Sequence, residues 1–88
     1  MEIENAVSVK VLFFAQSKEL AGTREATIRV PCKISYRQLL QIIIEKYNLQ
    51  PIRNNILLAK NEEMCEDTID LEIEEQDRIA VIPPLSGG

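Results

Sequence analysis

A period-two pattern of apolar and polar residues marks the first regular element of the chain. Residues 7–11 alternate between the two classes, as in a strand that buries one face. The alternation continues through residues 12–14, so one face carries Val7, Val9, Val11 and Phe13 and the other carries Ser8, Lys10, Leu12 and Phe14. We predict a strand here, followed by a short polar segment that stops at Gly22, a residue suited to a helix C-terminus.

A second strand and the main helix come next. Residues 27–30 predict a strand closed by Pro31, and the short gap before it favours an antiparallel pair with the first strand. Ser35 then precedes Gln38 in the S-x-x-Q spacing of a capping box. Apolar residues at three- and four-residue spacing follow and predict a helix that Pro51 ends, with a stripe that lies in the core: Tyr36, Leu39, Leu40, Ile43 and Tyr47.

Short strands fill the second half of the chain. Residues 56–59 predict a third strand with Asn61 in the turn after it, and shorter pieces follow near Met64 and over residues 69–73. The last strand runs over residues 78–82 and is ended by two prolines, which cannot donate hydrogen bonds to a ladder.

This order of elements predicts the fold class. One main helix on one face of a mixed sheet of four to five strands gives a two-layer α+β domain. The β-grasp, or ubiquitin-like, arrangement fits the order, with the first and last strands side by side at the centre. We predict a single domain over residues 1–88 with a protruding C-terminal tail over residues 83–88.

Composition narrows the classes of function. The 88 residues make one small domain, whose core supplies roughly 3–5 kcal/mol and is too small for a deep cleft. No long apolar run or secretory signal is present, so we expect a cytosolic protein with no membrane partner. The chain has no histidine, and Cys32 and Cys65 lie far apart, so we expect no metal site. Two ordinary thiols are the simpler interpretation of the cysteines, and a thiol that handles sulfur is the alternative.

Charge is unevenly distributed. Residues 1–61 contain nine Lys or Arg and five Asp or Glu, whereas residues 62–88 contain one Arg and nine acids. The acidic stretch would repel phosphates, so no nucleic-acid partner is expected. It is either a solvated rim or a docking surface for a basic partner, whose approach it would steer.

The last residues suit a C-terminus that reacts. Pro83 and Pro84 stiffen the exit from the last strand, and the six residues 83–88 can reach about 20 Å at roughly 3.3 Å per residue. Gly87 and Gly88 lack a Cβ and can thread a narrow channel. A terminal carboxylate is ionised at neutral pH and reacts only after activation, for which ATP-dependent adenylation is the general route. A frayed end is the alternative interpretation.

Three stretches carry a family resemblance. KVLFFAQSKELAGT over residues 10–23, ILLAKNEE over 56–63 and DRIAVIPPLSGG over 77–88 resemble the small, sulfur-carrier subunit of molybdopterin synthase. The likeness covers nearly the whole chain, and its first and last stretches separate this family from other β-grasp carriers that end in Gly-Gly.

The resemblance implies a reaction at the C-terminus. An E1-like activating enzyme would use ATP to adenylate Gly88, which is then converted to a thiocarboxylate. The residues that thread into the large synthase subunit would be Pro83, Pro84, Leu85, Ser86 and Gly87. There the sulfur would pass to cyclic pyranopterin monophosphate and build the dithiolene of molybdopterin. The chain would bind no cofactor tightly, and the catalytic side chains would lie on the large subunit of a heterotetramer with two small and two large subunits.

Two features are specific to this chain's surface. If the first and last strands are neighbours, Leu12, Phe14 and Ile82 form an apolar docking patch for partners beside the tail exit, unless a loop covers them. Gln76-Asp77 stands where the family usually has Gly-Asp before the last strand. If position 76 needs a positive φ, Gln76 is strained by roughly 1 kcal/mol.

Alternative functions remain open at this point. The same glycine could serve a ubiquitin-like modifier or a carrier for tRNA thiolation, and a plain interaction domain could carry an unused Gly-Gly end.

Overall fold

The computed structural model describes residues 6–66 and 69–83 of the chain. Its elements, in chain order, are β1 (Ala6–Phe13), α1 (Gln16–Ala21), β2 (Glu25–Pro31), β3 (Lys33–Ser35), α2 (Tyr36–Tyr47), a 3₁₀ helix (Gln50–Asn55), β4 (Leu57–Lys60), β5 (Glu63–Met64), β6 (Asp70–Glu72) and β7 (Arg78–Ile82).

Five of the strands form one mixed sheet in the order β2-β1-β7-β4-β5. β1 pairs with β7 in parallel, and the other neighbours in this sheet are antiparallel. The first and last strands therefore lie side by side, and the prediction of a mixed sheet with one main helix is confirmed. Because parallel strands need a long connection, the segment between β1 and β7 supplies α2 and the remaining strands.

The main helix begins at the predicted capping box. The Ser35 hydroxyl accepts a hydrogen bond from the Gln38 N–H at 3.1 Å, and the Gln38 side chain accepts one from the Ser35 N–H at 3.4 Å. The predicted end is wrong. Tyr47 is the last helical residue. Asn48 caps the helix with a left-handed φ of 62°, and its N–H donates to the Ile44 carbonyl oxygen. Pro51 lies in the 3₁₀ helix that follows.

The core lies between α2 and one face of the sheet. Val9, Val11 and Phe13 of β1 are buried, as the alternation predicts, and so are Ile79 and Val81 of β7. On the helix, Tyr36, Leu39, Ile43 and Ile44 are buried, whereas Leu40 and Tyr47 are half-buried against the same cluster. The rings of Phe13 and Tyr47 meet edge to face at 4.9 Å, and the Leu58 N–H donates to the Tyr36 hydroxyl at 3.1 Å.

A small second sheet was not predicted from the sequence. β3 pairs antiparallel with β6 over three residues each, which brings Ile34 opposite Leu71. Both side chains are buried, so this sheet closes one side of the core just before α2 begins. Over the described ranges, no helix has the length and apolar character needed to cross a bilayer.

Candidate functional site

The strand that leads to the predicted tail lies in the middle of the large sheet. β7 ends at Ile82, and Pro83, the next residue, is buried. Pro84, Leu85, Ser86, Gly87 and Gly88 lie outside the described residues, so their predicted roles stay predictions. The site can therefore be built from the surface that surrounds the exit of β7.

That surface is the sheet face that α2 does not cover. Leu12 pairs with Ala80, Ala80 with Ala59, and Ala59 with Met64, so one row of apolar side chains crosses four strands. Side chains of directly paired residues share a face of a sheet.

A second apolar row lies nearer the exit of β7. Leu57 pairs with Ile82, and Phe14 follows directly after the last β1–β7 pair, Phe13 with Val81. Phe13 and Val81 are buried on the other face, so the pleat turns Phe14 and Ile82 outward.

These two rows, without the buried Ala59, form what we call the outer patch: Leu12, Phe14, Leu57, Met64, Ala80 and Ile82. Phe14, Leu57 and Met64 are 49%, 48% and 56% exposed, and Leu12, Ala80 and Ile82 are half-buried. The predicted exposure of Phe14 on the uncovered face is confirmed. Scattered exposed hydrophobics are ordinary, but three large ones on one face beside one strand end are typical of a binding surface.

Sequence reasoning missed Leu57 and Met64 as members of the outer patch. Leu57 lies between Ile56 and Leu58, which are both buried, so the run of hydrophobics conceals the alternation. Met64 belongs to a strand of two residues, whose pairing with Ala59 no periodicity reveals. A period of two applied to residues 56–59 would have placed Leu57 on the face opposite to Ile56 and Leu58.

A depression of about 260 Å³ opens within the outer patch. Leu12, Phe14 and Ala80 line its apolar side, and Asn61, Glu62 and Arg78 line its polar side. Such a shape suits a partner side chain with an apolar body and a polar tip.

Phe14 is held from beneath by a buried serine. The Ser17 hydroxyl accepts a hydrogen bond from the Phe14 N–H at 3.0 Å and donates to the Phe14 carbonyl oxygen at 2.7 Å. Ser17 is completely buried. The predicted polar segment 16–21 is the helix α1, which ends at Gly22 with a φ of 77°, so Ser17 lies in its first turn.

The opposite end of β7 is held by a polar network around Asp77. Its carboxylate accepts hydrogen bonds from the Asn61 side chain at 3.0 Å and from the Glu74 N–H at 2.8 Å, and the Lys60 ammonium lies 3.8 Å away. The Asn61 side-chain oxygen in turn accepts from the Arg78 N–H at 3.0 Å. Thus the turn after β4 and the start of β7 are tied together.

Burial alone would raise the pKa of the Asp77 carboxyl. The hydrogen bonds from Asn61 and Glu74, with the charge of Lys60, outweigh that effect and hold its pKa below the usual value. Donors that favour the charged form act in this direction. Asp77 is therefore a structural carboxylate that stays ionised at neutral pH.

The turn that precedes Asp77 answers the question raised by Gln76. Gln76 has a φ of 70°, so the position does require the left-handed region that the family's usual glycine adopts freely. Asn61 and Glu62, in the two-residue turn between β4 and β5, also have positive φ values of 51° and 76°. Three non-glycine residues with positive φ therefore lie near the polar end of the outer patch.

Cys32 and Cys65 are free and half-buried. Burial raises the pKa of the Cys65 thiol, partly offset by the backbone and charge of Lys60. A raised pKa lowers the thiolate fraction and hence the reactivity, which favours the interpretation of Cys65 as an ordinary thiol.

The acidic stretch is solvent-exposed where the structure describes it. Glu62, Glu63, Glu66, Asp70, Glu72, Glu74 and Glu75 are all exposed. A search of the described ranges finds no group of three or more possible ligands placed to hold a metal ion. The exposed acids fit a solvated rim, and a role in docking a basic partner stays a prediction.

The chain is similar in sequence to known proteins over most of its length. Residues 11–88 match the model of the ThiS family. The chain is 46% identical over 83 residues to the molybdopterin synthase sulfur carrier subunit of Drosophila melanogaster, covering 93% of this chain and 92% of that protein. It is also 46% identical, over 91 residues and the full length of both chains, to the protein of the same name from Anopheles gambiae.

Solved structures share the fold at lower identity. Small archaeal modifier protein 1 from Methanosarcina acetivorans superposes with a TM-score of 0.73 at 23% identity, covering 94% of this chain and 98% of that one. A complex of subunits 1 and 2 of the molybdopterin-converting factor from Helicobacter pylori contains a chain that matches with a TM-score of 0.66 at 22% identity, covering 93% of this chain and all of that one.

Proposed function

Since the chain belongs to the ThiS family and, within it, to the molybdopterin synthase sulfur carrier subunits, we propose that it carries sulfur as a thiocarboxylate on Gly88 and delivers it inside the large synthase subunit. The observation that supports this proposal most directly is the outer patch. Its members Phe14, Leu57 and Ile82 lie at the exit of β7, the strand that leads to the glycine tail. One partner could therefore bind the patch and receive the tail at the same time.

The chemistry begins with an unreactive group. The Gly88 carboxylate attacks the α-phosphate of ATP on an E1-like activating enzyme, which forms an acyl adenylate and releases pyrophosphate. Sulfur at the oxidation level of sulfide then attacks the carbonyl carbon, and the bond to AMP breaks, which leaves a thiocarboxylate. ATP is used by the partner enzyme, and this chain binds no cofactor of its own. Its contribution is to carry the carboxyl group at the end of the six residues that follow β7, next to a surface that the partner binds.

Delivery takes place in the complex with the large subunit. The Helicobacter pylori structure is described as a complex of subunits 1 and 2 of a molybdopterin-converting factor, and a chain with this fold is one of the two. By analogy, we place the large subunit on the outer patch, with residues 84–88 inserted into its active site. Two sulfurs enter each dithiolene, so two carriers that bear a thiocarboxylate act per product. This number fits a heterotetramer of two small and two large subunits.

Intact-mass spectrometry tests this function. The chain is expressed with its activating enzyme, purified and weighed. A thiocarboxylate adds the mass difference between sulfur and oxygen to the intact chain, and we expect that species to convert cyclic pyranopterin monophosphate when the large subunit is added. Conjugates of higher mass would instead indicate a ubiquitin-like modifier, and sulfur that reaches only tRNA would indicate the thiolation carrier.

Length variants supply the control. Deleting Gly88 moves the carboxylate back by about 3.5 Å, and misplacement by about 1 Å can already cost on the order of 100-fold in rate. Adding one residue converts the Gly88 carboxyl into an amide. Both changes should abolish adenylation and sulfur transfer and leave the melting temperature unchanged. Dithiolene formation by either variant would refute the proposed function.

A further inference from the structure

Ser17 occupies the last rung between the two central strands. Because Phe13 pairs with Val81 in parallel register, the Phe14 N–H faces the Val81 carbonyl group. The Ser17 hydroxyl lies 3.0 Å from the Phe14 nitrogen, 2.7 Å from the Phe14 carbonyl oxygen and 3.4 Å from the Val81 carbonyl oxygen. One buried hydroxyl thus touches the end of β1 and the end of β7 together.

Both polar backbone groups of Phe14 form hydrogen bonds with the Ser17 hydroxyl. β1 ends at Phe13, so Phe14 is the first residue beyond the strand. The Ser17 hydroxyl accepts a hydrogen bond from the Phe14 N–H and donates one to the Phe14 carbonyl oxygen. That oxygen also accepts a hydrogen bond from the Ser17 N–H at 3.1 Å. Fixing the backbone at Phe14 fixes the direction of a side chain that is about half exposed and lies next to Ile82 in the outer patch.

We infer that Ser17 is a positioning residue for partner docking, which holds the Phe14 ring in register with the strand that leads to the tail. This inference rests on the proposed function, because it assigns Phe14 to the surface that the large subunit binds. A Phe14 ring that is already ordered in the free chain loses less conformational entropy when it docks, so the complex is stronger. Without the hydroxyl, the Phe14 N–H loses this acceptor, and the Phe14 ring samples positions that do not fit the large subunit.

A pair of serine variants tests the inference. Ser17→Ala removes the hydroxyl beneath Phe14, and Ser35→Ala removes the N-cap hydroxyl of α2, which also bonds to a backbone N–H. Both should lower the melting temperature. At a temperature where both variants are fully folded, only Ser17→Ala should weaken binding to the large subunit, by about 3- to 10-fold for the loss of one buried hydrogen-bond set. Ser17→Thr, which keeps the hydroxyl, should restore part of the affinity.

Equal affinities for folded Ser17→Ala and wild type would overturn the inference. Phe14→Ala distinguishes the docking role of the outer patch from the positioning role of Ser17. Normal binding by Phe14→Ala would refute the docking role itself. Weak binding by Phe14→Ala with normal binding by Ser17→Ala would refute only the role of Ser17.

Hydrogen exchange gives a test that needs no variant to fold. In the wild-type chain, the Phe14 amide should exchange much more slowly than an unprotected amide, although Phe14 lies beyond the end of β1. Exchange of the Phe14 amide at the unprotected rate would overturn the inference.

Discussion

Both faces of the five-stranded sheet carry apolar side chains, but α2 covers only one face, and on the other face they are mixed with polar residues such as Lys10 and Arg78. On the covered face, Val11, Ile79 and Val81 are completely buried. On the other face, Phe14, Leu57 and Met64 expose about half of their surface. Burying a large apolar side chain contributes about 1.5–3 kcal/mol, and the outer patch forgoes much of that contribution in the free chain. The covered face therefore stabilises the fold, whereas the outer patch is the surface that we propose binds the large subunit.

The largest expected effect comes from the covered face. Leu39→Ala removes a side chain of α2 that is completely buried and should lower the free energy of unfolding by about 2–5 kcal/mol. Chemical denaturation checks this value. The neighbouring Leu40→Ala, at a half-buried position, should cost less. Equal losses at the two positions would mean that α2 packs differently on the sheet.

Outer-patch variants should show the reverse pattern. Phe14→Asp and Ile82→Asp should weaken binding to the large subunit by more than about 2 kcal/mol, as at interface hot spots, because each places a charge in an apolar contact. Calorimetric titration measures the affinity, and denaturation should show little change in stability. Ile69→Asp is the matched control, since Ile69 is similarly exposed and lies outside the patch. Normal binding by the patch variants, or their failure to fold, would break the distinction between the two faces.

Asp77 tests whether the polar end of the outer patch depends on pH. Its folded pKa is lowered, so its contribution to stability is present above the unfolded pKa of about 3.9 and is lost as the pH falls through the folded value. Asp77→Asn should lower the free energy of unfolding at pH 7 by about 1.5 kcal/mol, and the difference from wild type should shrink near pH 2. Asp70→Asn changes an exposed carboxylate and serves as the control. A difference that does not vary with pH would remove the charge of Asp77 from the explanation.

The smallest effect is expected at Gln76. Gln76→Gly should raise the free energy of unfolding by about 0.5–1 kcal/mol, because glycine adopts the observed φ of 70° without strain. Gln41→Gly, in the interior of α2, should lower it by about 1 kcal/mol. Melting curves distinguish these outcomes, and a destabilising Gln76→Gly would show that the Gln76 side chain contributes more than its backbone strain costs.

The elements that could be predicted from the sequence are those set by local patterns. The alternation over residues 7–14 placed Phe14 on the uncovered face, and the capping box at Ser35 located the start of α2. The register between strands was harder, because it is set by contacts between residues far apart in the chain. Met64 joins the outer patch only through Ala59, and β3 is recognisable only beside β6.

Local signals also competed with one another. Pro51 is a strong helix breaker, yet Asn48 ended α2 three residues earlier by adopting a left-handed conformation. The positive φ at position 76 could be expected only from the glycine that the family usually has there. The glycine tail was identified by its chemistry and family resemblance rather than by any fold pattern, so its role depends on the proposed experiments.

The parallel pairing of β1 with β7 has a consequence for synthesis of the protein. The ribosome makes β1 early and β7 after every other described element, so the central pair of the sheet cannot form while the chain between them is still emerging. Until then β1 and β4 lack the neighbour that separates them in the finished sheet. Non-local pairings of this kind fold slowly. A chain whose translation stops before β7 would therefore leave one edge of β1 and one edge of β4 unpaired, and such open edges favour aggregation.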